Sequence, residues 1–281
     1  MADIKKIMTT AAANIKAVFG TAKASIKKVG SGGVMPAAST LESLAIADDA
    51  THLYTFVEAP GGVVADQIGS LDLTLTGLSV SVSTTDVASG CSGKLILADR
   101  AGAGTIASAD WTRTADRSIE IVMDQFGGAL QRSFLLGPGG YNAGQNFANL
   151  NTYTGGGGTS GHWNITDAAW TKRIELGSSG LTTSLSSELV YLCISWNHST
   201  TTLRARGRRA SGGSTFNLTD TGWSAGSSGT GWFYIGGNVL GGVHGGNIYT
   251  NSTMHVHHFA VYDKVLSDVE VAERISVLGL S

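Results

Sequence analysis

The sequence has few charged residues, few prolines and almost no cysteine. Charged residues make up 14% of its 281 residues, whereas about 25% is usual for soluble domains. The formal net charge of -2 gives no electrostatic basis for binding nucleic acid. No stretch approaches the roughly 18 apolar residues of a membrane-spanning helix, so we expect no membrane insertion. Cys91 and Cys193 are expected to be buried thiols, and a disulfide between them is the alternative.

Glycine and strand-forming segments take the place of these residues. The chain contains 39 glycines and only 3 prolines, and 42% of its residues are hydrophobic. Short apolar or alternating segments bounded by glycine-rich loops are typical of β-strands. The predicted strands are 52–56, 71–76, 78–82, 94–98, 118–123, 189–196, 202–207, 231–236 and 254–262. Many short strands with little helix predict an all-β sandwich or barrel.

The chain closes with the signal of a short helix. Ser267 is a good N-cap residue, and Glu270 three residues later completes a capping box. Val271, Ile275 and Leu278 then provide an apolar face at helical spacing. These residues predict a C-terminal helix that begins directly after Ser267.

An eleven-residue repeat occupies the first 30 residues. Ile4, Ile15 and Ile26 begin successive blocks, and the apolar residues keep to one stripe of a helix. The stripe is too thin to form a core alone, so residues 1–30 are predicted to be a docking segment that binds copies of itself or a larger assembly. A helix that packs on its own domain is the alternative. The predicted docking residues are Ile4, Ile7, Ile15, Val18, Phe19, Ile26 and Val29.

The docking segment does not match a secretory signal, because no unbroken apolar run follows its lysines. We therefore expect synthesis in the cytoplasm. Residues 31–44 contain glycine, serine and Pro36 without a periodic apolar face, and are predicted to be a linker. Residues 45–281 are predicted to form a single β domain.

The C-terminal residues resemble the laminin-G-like, concanavalin A-like jelly-roll superfamily. In that family the last strand runs into a short helix through an aromatic-polar-basic-x-Leu-Ser-x-x-Glu pattern, which stands here as Tyr262–Glu270. The resemblance extends over roughly residues 45–281 and implies a jelly-roll β-sandwich with a lectin-like character. Members of that family often carry an acidic pair where His257 and His258 stand here, so no function of that pair is implied.

Residues 15–20, Ile-x-x-Val-x-Gly, resemble N-terminal segments of tailed-bacteriophage structural proteins. The other two blocks depart from that form, with Thr9 at the sixth position of the first and Gly30 one place early in the third. Together with the jelly roll, this resemblance implies a virion protein such as a capsid decoration, fibre or tail adhesion component. The implied partners are other virion proteins, copies of itself and a cell-surface glycan. A stand-alone carbohydrate-binding module is the alternative.

Acidic residues are the first candidates for catalysis. Sandwiches of this fold include glycoside hydrolases, which need two carboxylates about 5–5.5 Å apart. Glu120 and Asp124 are the nearest candidates, since residues i and i+4 of a strand share a face. The residues between them are apolar, which is typical of a buried strand. The sequence also lacks a Gly-x-Ser-x-Gly elbow and a phosphate-binding glycine loop. We expect no enzyme activity, and a hydrolase is the third hypothesis.

The histidines of the last predicted strand are candidate ligands of a metal ion. His255 and His257 share a strand face and, with His244 upstream, could chelate an ion, whereas His258 is expected on the other face. An exposed polar strand is the favoured interpretation, because no acid or cysteine lies near in the sequence. Calcium is a separate and weaker hypothesis, and otherwise we expect no cofactor. The candidate calcium ligands are Asp48, Asp49 and Asp66.

One basic patch and several loop aromatics are candidate contact surfaces. The patch is expected to be a solvated strand, with an acidic neighbour as the alternative partner. It consists of Arg204, Arg206, Arg208 and Arg209. The loop aromatics would either stack on sugars or anchor their loops, and they are Trp111, Tyr141, Tyr153, Trp163, Trp170, Trp223 and Tyr249. The predicted glycan site is Tyr141, Asn142, Asn146, Tyr153 and Trp163, and Trp196 and Trp232 are expected in the core.

Overall fold

Sixteen strands, two α-helices and one short 3-10 helix, Pro60–Gly62, lie in the part of the chain that the computed structural model describes. The described residues are 39–76, 80–97, 103–109, 115–124, 133–137, 148–153, 162–166, 173–176, 188–211, 215–223, 231–236 and 254–280. Apart from Ser39, they belong to one unit, Thr40–Ser281. Among these residues, no helix is long and apolar enough to cross a membrane.

The first eight strands are β1 (Ala50–Tyr54), β2 (Val63–Val64), β3 (Leu73–Thr76), β4 (Val80–Ser83), β5 (Lys94–Leu97), β6 (Ala103–Ala109), β7 (Arg117–Asp124) and β8 (Ser133–Gly137). The other eight are β9 (Ala148–Tyr153), β10 (His162–Thr166), β11 (Arg173–Glu175), β12 (Val190–Asn197), β13 (Thr202–Arg209), β14 (Phe216–Thr221), β15 (Gly231–Gly236) and β16 (Met254–Tyr262). The helices are α1 (Leu41–Ala47) and α2 (Asp268–Val277).

These strands form two eight-stranded antiparallel sheets. Sheet A has the order β14-β13-β12-β7-β16-β5-β4, and β1 also pairs with β16. Sheet B has the order β11-β10-β9-β8-β15-β6-β3-β2. One edge of β16 pairs with β7, and its other edge pairs first with β5 through Met254–Val256 and then with β1 through Phe259–Tyr262. Strand β16 is therefore held along its whole length in the middle of sheet A.

Two hydrophobic cores lie on the two faces of sheet A. Ile119, Ile121 and Met123 of β7 belong to the core between the sheets, which also contains Ile165 of sheet B. Val122 of β7 belongs instead to a second core under the helices. Because side chains alternate across a strand, a strand covered on both faces must be apolar in both phases. The structure is a β-sandwich with a short C-terminal helix, as the fold-class prediction stated.

Helix α2 confirms the predicted C-terminal helix. The Ser267 side chain accepts the amide N–H of Glu270, and the Glu270 carboxylate accepts the amide N–H of Ser267, which is the predicted capping box. Val271 and Ile275 are buried in the second core. The helix thus covers the outer face of sheet A.

Helix α1 begins inside the segment that the sequence analysis assigned to a linker. Thr40 and Ser43 form its capping box, and Leu41 and Leu44 are buried. The helix has only seven residues, which is too few for a periodic apolar pattern to be recognised. Residues 41–44 of the predicted 31–44 linker are therefore helical, and they contribute to the second core.

Candidate functional site

The residues of the predicted glycan site fall in two groups. Tyr141, Asn142 and Asn146 lie outside the described residues. Tyr153 is the last residue of β9 and Trp163 is the second residue of β10. In the ladder between these strands, Tyr153 pairs with His162 and Thr152 pairs with Trp163. The fold thus places Tyr153 and Trp163 one register step apart in sheet B, at positions that alternate between the two faces of the sheet.

Several other predicted residues also lie outside the described residues. These are the docking residues Ile4, Ile7, Ile15, Val18, Phe19, Ile26 and Val29, the loop aromatics Trp111, Trp170 and Tyr249, and His244. Trp196 is only 1% exposed, which confirms its place in the core. Trp223, at 2% exposed, packs in the same core and anchors its loop instead of offering its ring to a ligand.

Two arginines of the basic patch, Arg204 and Arg206, make contacts inside the chain. Arg206 is 2% exposed, which contradicts the expectation of a solvated strand at that position. Its guanidinium donates to the Asp268 carboxylate at 2.9 Å, to Ser195 Oγ at 2.9 Å and to the Leu266 carbonyl at 2.6 Å. Arg204 reaches the same Asp268 carboxylate from a more exposed position. The acidic neighbour of these two arginines is therefore the N-terminus of α2 in the same chain.

Glu120 lies in a buried cluster between β7 and α2. Its carboxylate is fully buried and accepts hydrogen bonds from Arg274 Nε at 2.9 Å and from the Tyr262 hydroxyl. Arg274 also contacts Asp48 Oδ2 at 3.0 Å. Burial alone would raise the pKa of Glu120, but the charge of Arg274 outweighs it and holds that pKa low. Glu120 therefore stays ionised as an internal partner of Arg274, closed to any substrate.

Asp124 lies at the other end of the same face of β7 and meets two histidines of β16. The distance from Asp124 Oδ1 to His255 Nδ1 is 2.9 Å, and that from Asp124 Oδ2 to His257 Nε2 is 3.3 Å. The two imidazole rings meet edge to face, with their centroids 6.2 Å apart. The three possible ligand atoms lie within 4.8 Å of one another. Among the described residues, this is the group of side chains suited to hold a metal.

A β-bulge in β16 produces this arrangement. His255 pairs with Asp124 and Val256 with Met123, but His258 is the next residue to pair, opposite Val122. His257 is therefore the extra residue of the bulge. The bulge also reverses the prediction for His258, which lies on the same side as its neighbour and approaches the Glu120 carboxylate at 3.7 Å. The expectation that His258 faces away from His257 was wrong, because strict alternation does not hold across a bulge.

The Asp124 cluster is more buried than the sequence indicated. His255 is 7% exposed and His257 is 1% exposed, so the expected exposed polar strand is wrong for both. Burial is the largest influence on His255 and lowers its pKa, although Asp124 acts in the opposite direction. Burial would raise the pKa of Asp124, but the contacts with the two imidazoles lower it. The cluster thus favours an ionised carboxylate beside a neutral His255.

Two of the three candidate calcium ligands, Asp48 and Asp66, are engaged elsewhere. Asp48 faces Arg274, as described above. Asp66 accepts the backbone amides of four residues, Leu53, Ile68, Gly69 and Leu71, and its Oδ2 lies 2.7 Å from His52 Nδ1. These donors outweigh burial and lower the pKa of Asp66 to about 2. Asp66 therefore fixes the loop after β2 through hydrogen bonds.

The fold is similar to that of neurotoxin binding domains. The botulinum neurotoxin serotype D binding domain superimposes with a TM-score of 0.53 at 13% identity, over 83% of this chain and 52% of that one. The botulinum neurotoxin serotype D ligand-binding domain in complex with N-acetylneuraminic acid gives a TM-score of 0.50 at 12% identity, over 83% of this chain and 51% of that one.

Botulinum neurotoxin type C, whose cell entry is dependent upon interaction with two ganglioside molecules, gives a TM-score of 0.54 at 11% identity, over 85% of this chain and 53% of that one. This chain therefore spans about half the length of the toxin chains. No family model and no curated protein matches it. The similarity is one of fold: the chain is a sandwich of antiparallel β-sheets.

Proposed function

We propose that this chain is a non-catalytic, glycan-binding component of a bacteriophage particle, held in the particle by residues 1–30. The observation that carries glycan binding is that Tyr153 ends β9 and Trp163 lies near the start of β10, so both residues border the segment that joins these strands. The segment between the two strands, residues 154–161, is rich in glycine. The core under α1 and α2 belongs to sheet A, so the proposed glycan site and the helix-covered face lie in different sheets.

Two further observations support this choice. Toxin domains of similar fold include one in complex with N-acetylneuraminic acid and one from a toxin that depends on gangliosides for cell entry. Glu120, the acid nearest to a hydrolase pattern, is closed off by Arg274. A sandwich that recognises an acidic glycan without cleaving it fits both observations.

The particle part of the proposal rests on the N-terminal repeat. Its apolar stripe needs a partner surface to be buried, and copies of the chain or other virion proteins would provide one. The chain would be made in the host cytoplasm and would function in the virion. The sandwich would then face outward and present the glycan site.

Glycan binding is tested with the full chain on a glycan array and then by calorimetry with sialyllactose. Trp163→Ala and Tyr153→Ala are each expected to weaken binding about tenfold, because a stacked aromatic contributes roughly 1 kcal/mol beyond its buried area. Ile46→Ala, which shortens an exposed apolar side chain of α1, is the control and should bind as the unmodified chain does. An array without any bound glycan would contradict the glycan proposal.

Particle anchoring is tested by light scattering of the full chain. Ile15→Asp introduces a charge on the apolar stripe and is expected to abolish self-association, whereas Asn14→Asp introduces the same charge beside the stripe and should not. If the unmodified chain is already a soluble monomer that does not incorporate into particles, the stand-alone carbohydrate-binding module becomes the better interpretation. Glycan binding and particle anchoring can thus fail separately.

A further inference from the structure

The three side chains of the Asp124 cluster approach one another at hydrogen-bond distances but without the angles of a regular hydrogen bond. Asp124 Oδ1, His255 Nδ1 and His257 Nε2 are buried atoms with no hydrogen-bond partner, although they lie close together. The His255 side chain is 9% exposed and that of His257 is 1% exposed. Buried polar atoms are normally paired, so three unpaired atoms that point at one another require a reason.

The His52–Asp66 pair gives the comparison within the same chain. There His52 Nδ1 and Asp66 Oδ2 form a hydrogen bond at 2.7 Å. Backbone amides occupy the remaining acceptor positions of Asp66. This partly buried acid–histidine pair is therefore fully hydrogen-bonded. The Asp124 cluster differs because its nitrogen and oxygen atoms converge on a shared point.

The distances suit a small divalent ion. Zinc takes nitrogen and oxygen ligands at about 2.0–2.2 Å, which places the ligands of a tetrahedral ion about 3.3 Å apart. The observed contacts of Asp124 are 2.9 Å to His255 and 3.3 Å to His257. All three ligand atoms lie within 4.8 Å, so a small approach of the two imidazoles is enough for one ion to contact them all.

We propose that Asp124, His255 and His257 bind one divalent transition-metal ion of the zinc type, with water as a fourth ligand. Two imidazole nitrogens and one carboxylate oxygen are the ligand set of such ions, whereas calcium prefers oxygen ligands. The Asp124 side chain keeps 21% of its surface exposed, which gives the ion a path from solvent. The ion would tie the end of β7 to the bulge of β16, and its binding does not depend on the glycan proposal.

The backbone of Ala88 is coupled to this site. Its amide N–H donates to His257 Nδ1 at 3.1 Å, which places the imidazole proton on Nε2. A metal ion at Nε2 replaces that proton, and a neutral imidazole then carries its proton on Nδ1. The Nδ1–H of His257 and the amide N–H of Ala88 would then be two donors facing each other, so the Ala88 amide must turn away. Metal binding is therefore expected to rearrange the segment between β4 and β5.

The test uses the full chain, purified without a histidine tag and treated with chelator. Calorimetry with Zn²⁺ is expected to give one site per chain, and Co²⁺ is expected to give the visible absorption bands of a low-coordinate ion. His255→Asn, His257→Gln and Asp124→Asn should each weaken binding at least about tenfold. His52→Asn and His198→Asn are the matched controls and should bind as the unmodified chain does.

Two outcomes overturn the proposal. One is the lack of stoichiometric binding by the unmodified chain, and the other is binding that persists in both His255→Asn and His257→Gln. Circular dichroism in chelator identifies any variant that is unfolded. If a histidine variant is unfolded, zinc binding by the unmodified chain is compared with that by Asp124→Asn, which keeps the side-chain shape. A second readout is the NMR amide signal of Ala88, which should shift on Zn²⁺ addition in the unmodified chain and stay in place in His257→Gln.

Discussion

Glu120 and Asp124 lie four residues apart on one face of β7, and their surroundings differ completely. Arg274 holds Glu120 from α2, with the Tyr262 hydroxyl on the same carboxylate. Two histidines of β16 approach Asp124 without the angles of a regular hydrogen bond. The first carboxylate is fully buried and the second is partly exposed. The strand thus carries one acid inside the protein and one at its edge.

The difference shows that the chemistry available to a carboxylate on β7 depends on whether its partner is an arginine or a histidine. An arginine keeps its proton at all accessible pH values, so Glu120 and Arg274 form a permanent pair that fixes α2 on sheet A. A histidine nitrogen can instead lose its proton and bind a metal ion. Asp124 and its histidine partners can therefore exist with or without a bound metal. Four predictions test this contrast, in order of decreasing effect on stability.

The largest loss of stability is expected from Arg274→Met. The variant leaves Glu120 buried as an unpaired charge, and it also removes the partner of Asp48. Breaking a buried ion pair from one side costs about 3–5 kcal/mol. Urea denaturation at pH 7 measures the free energy of unfolding.

The double variant Glu120→Met/Arg274→Met is the control for that experiment. Replacing both partners of a buried pair by apolar residues removes the desolvation cost of the charges. The double variant is therefore expected to recover part of the stability lost in Arg274→Met. If the single variant loses less than about 1 kcal/mol, Glu120 is not held as a charged internal partner.

The second prediction compares two arginines that share Asp268. Arg206→Met is expected to cost about 2–3 kcal/mol, because the Leu266 carbonyl and Ser195 lose a buried charged donor. Arg204→Met is expected to cost less than about 1 kcal/mol, because its side chain is 28% exposed and surface ion pairs contribute little. Thermal and urea unfolding of the two variants measure the difference. Equal losses would mean that burial does not separate the two pairs.

The third prediction concerns Asp66, whose carboxylate is held by backbone amides. Asp66→Asn puts an NH₂ group among amide donors and is expected to cost about 2 kcal/mol at pH 7. The pKa of Asp66 is lowered from 3.8 to about 2, so its stabilisation is present above pH 3.8 and is lost as the pH falls through about 2. Urea denaturation between pH 7 and pH 2.5 should show the two proteins converging. A constant difference at all pH values would contradict this assignment.

The sequence predicted the parts of this fold that depend on local patterns. The capping box at Ser267 and the bounds of β15 and β16 agree with the structure, because capping and apolar runs are properties of neighbouring residues. Strand β14 was missed, since Phe216 and Leu218 are its only apolar residues among six and give too weak a pattern. Helix α1 was missed because its seven residues are stabilised by packing on distant parts of the chain.

The candidate metal site depends on two features that no local pattern carries. Asp124 and the histidines are far apart in the sequence, and only the pairing of β7 with β16 joins them. The bulge at His257 then changes which side chains share a face, so alternation assigned His258 to the wrong side. His257 and His258 stand where members of the jelly-roll superfamily that the sequence resembles often carry an acidic pair. This difference from the family pattern lies at the bulge.

The smallest effect is expected from His255→Asn, measured in chelator at pH 7. Its Nδ1 lies 2.9 Å from Asp124 Oδ1 without the angles of a regular hydrogen bond, so the variant removes only a weak contact and should cost about 1 kcal/mol of unfolding free energy. Zinc should stabilise the unmodified chain, because a ligand that binds the native state adds to its stability, and the same addition should stabilise His255→Asn less. A loss in chelator as large as that of Arg274→Met would mean that Asp124 is held as rigidly as Glu120, and the contrast between the two carboxylates would then be one of position alone.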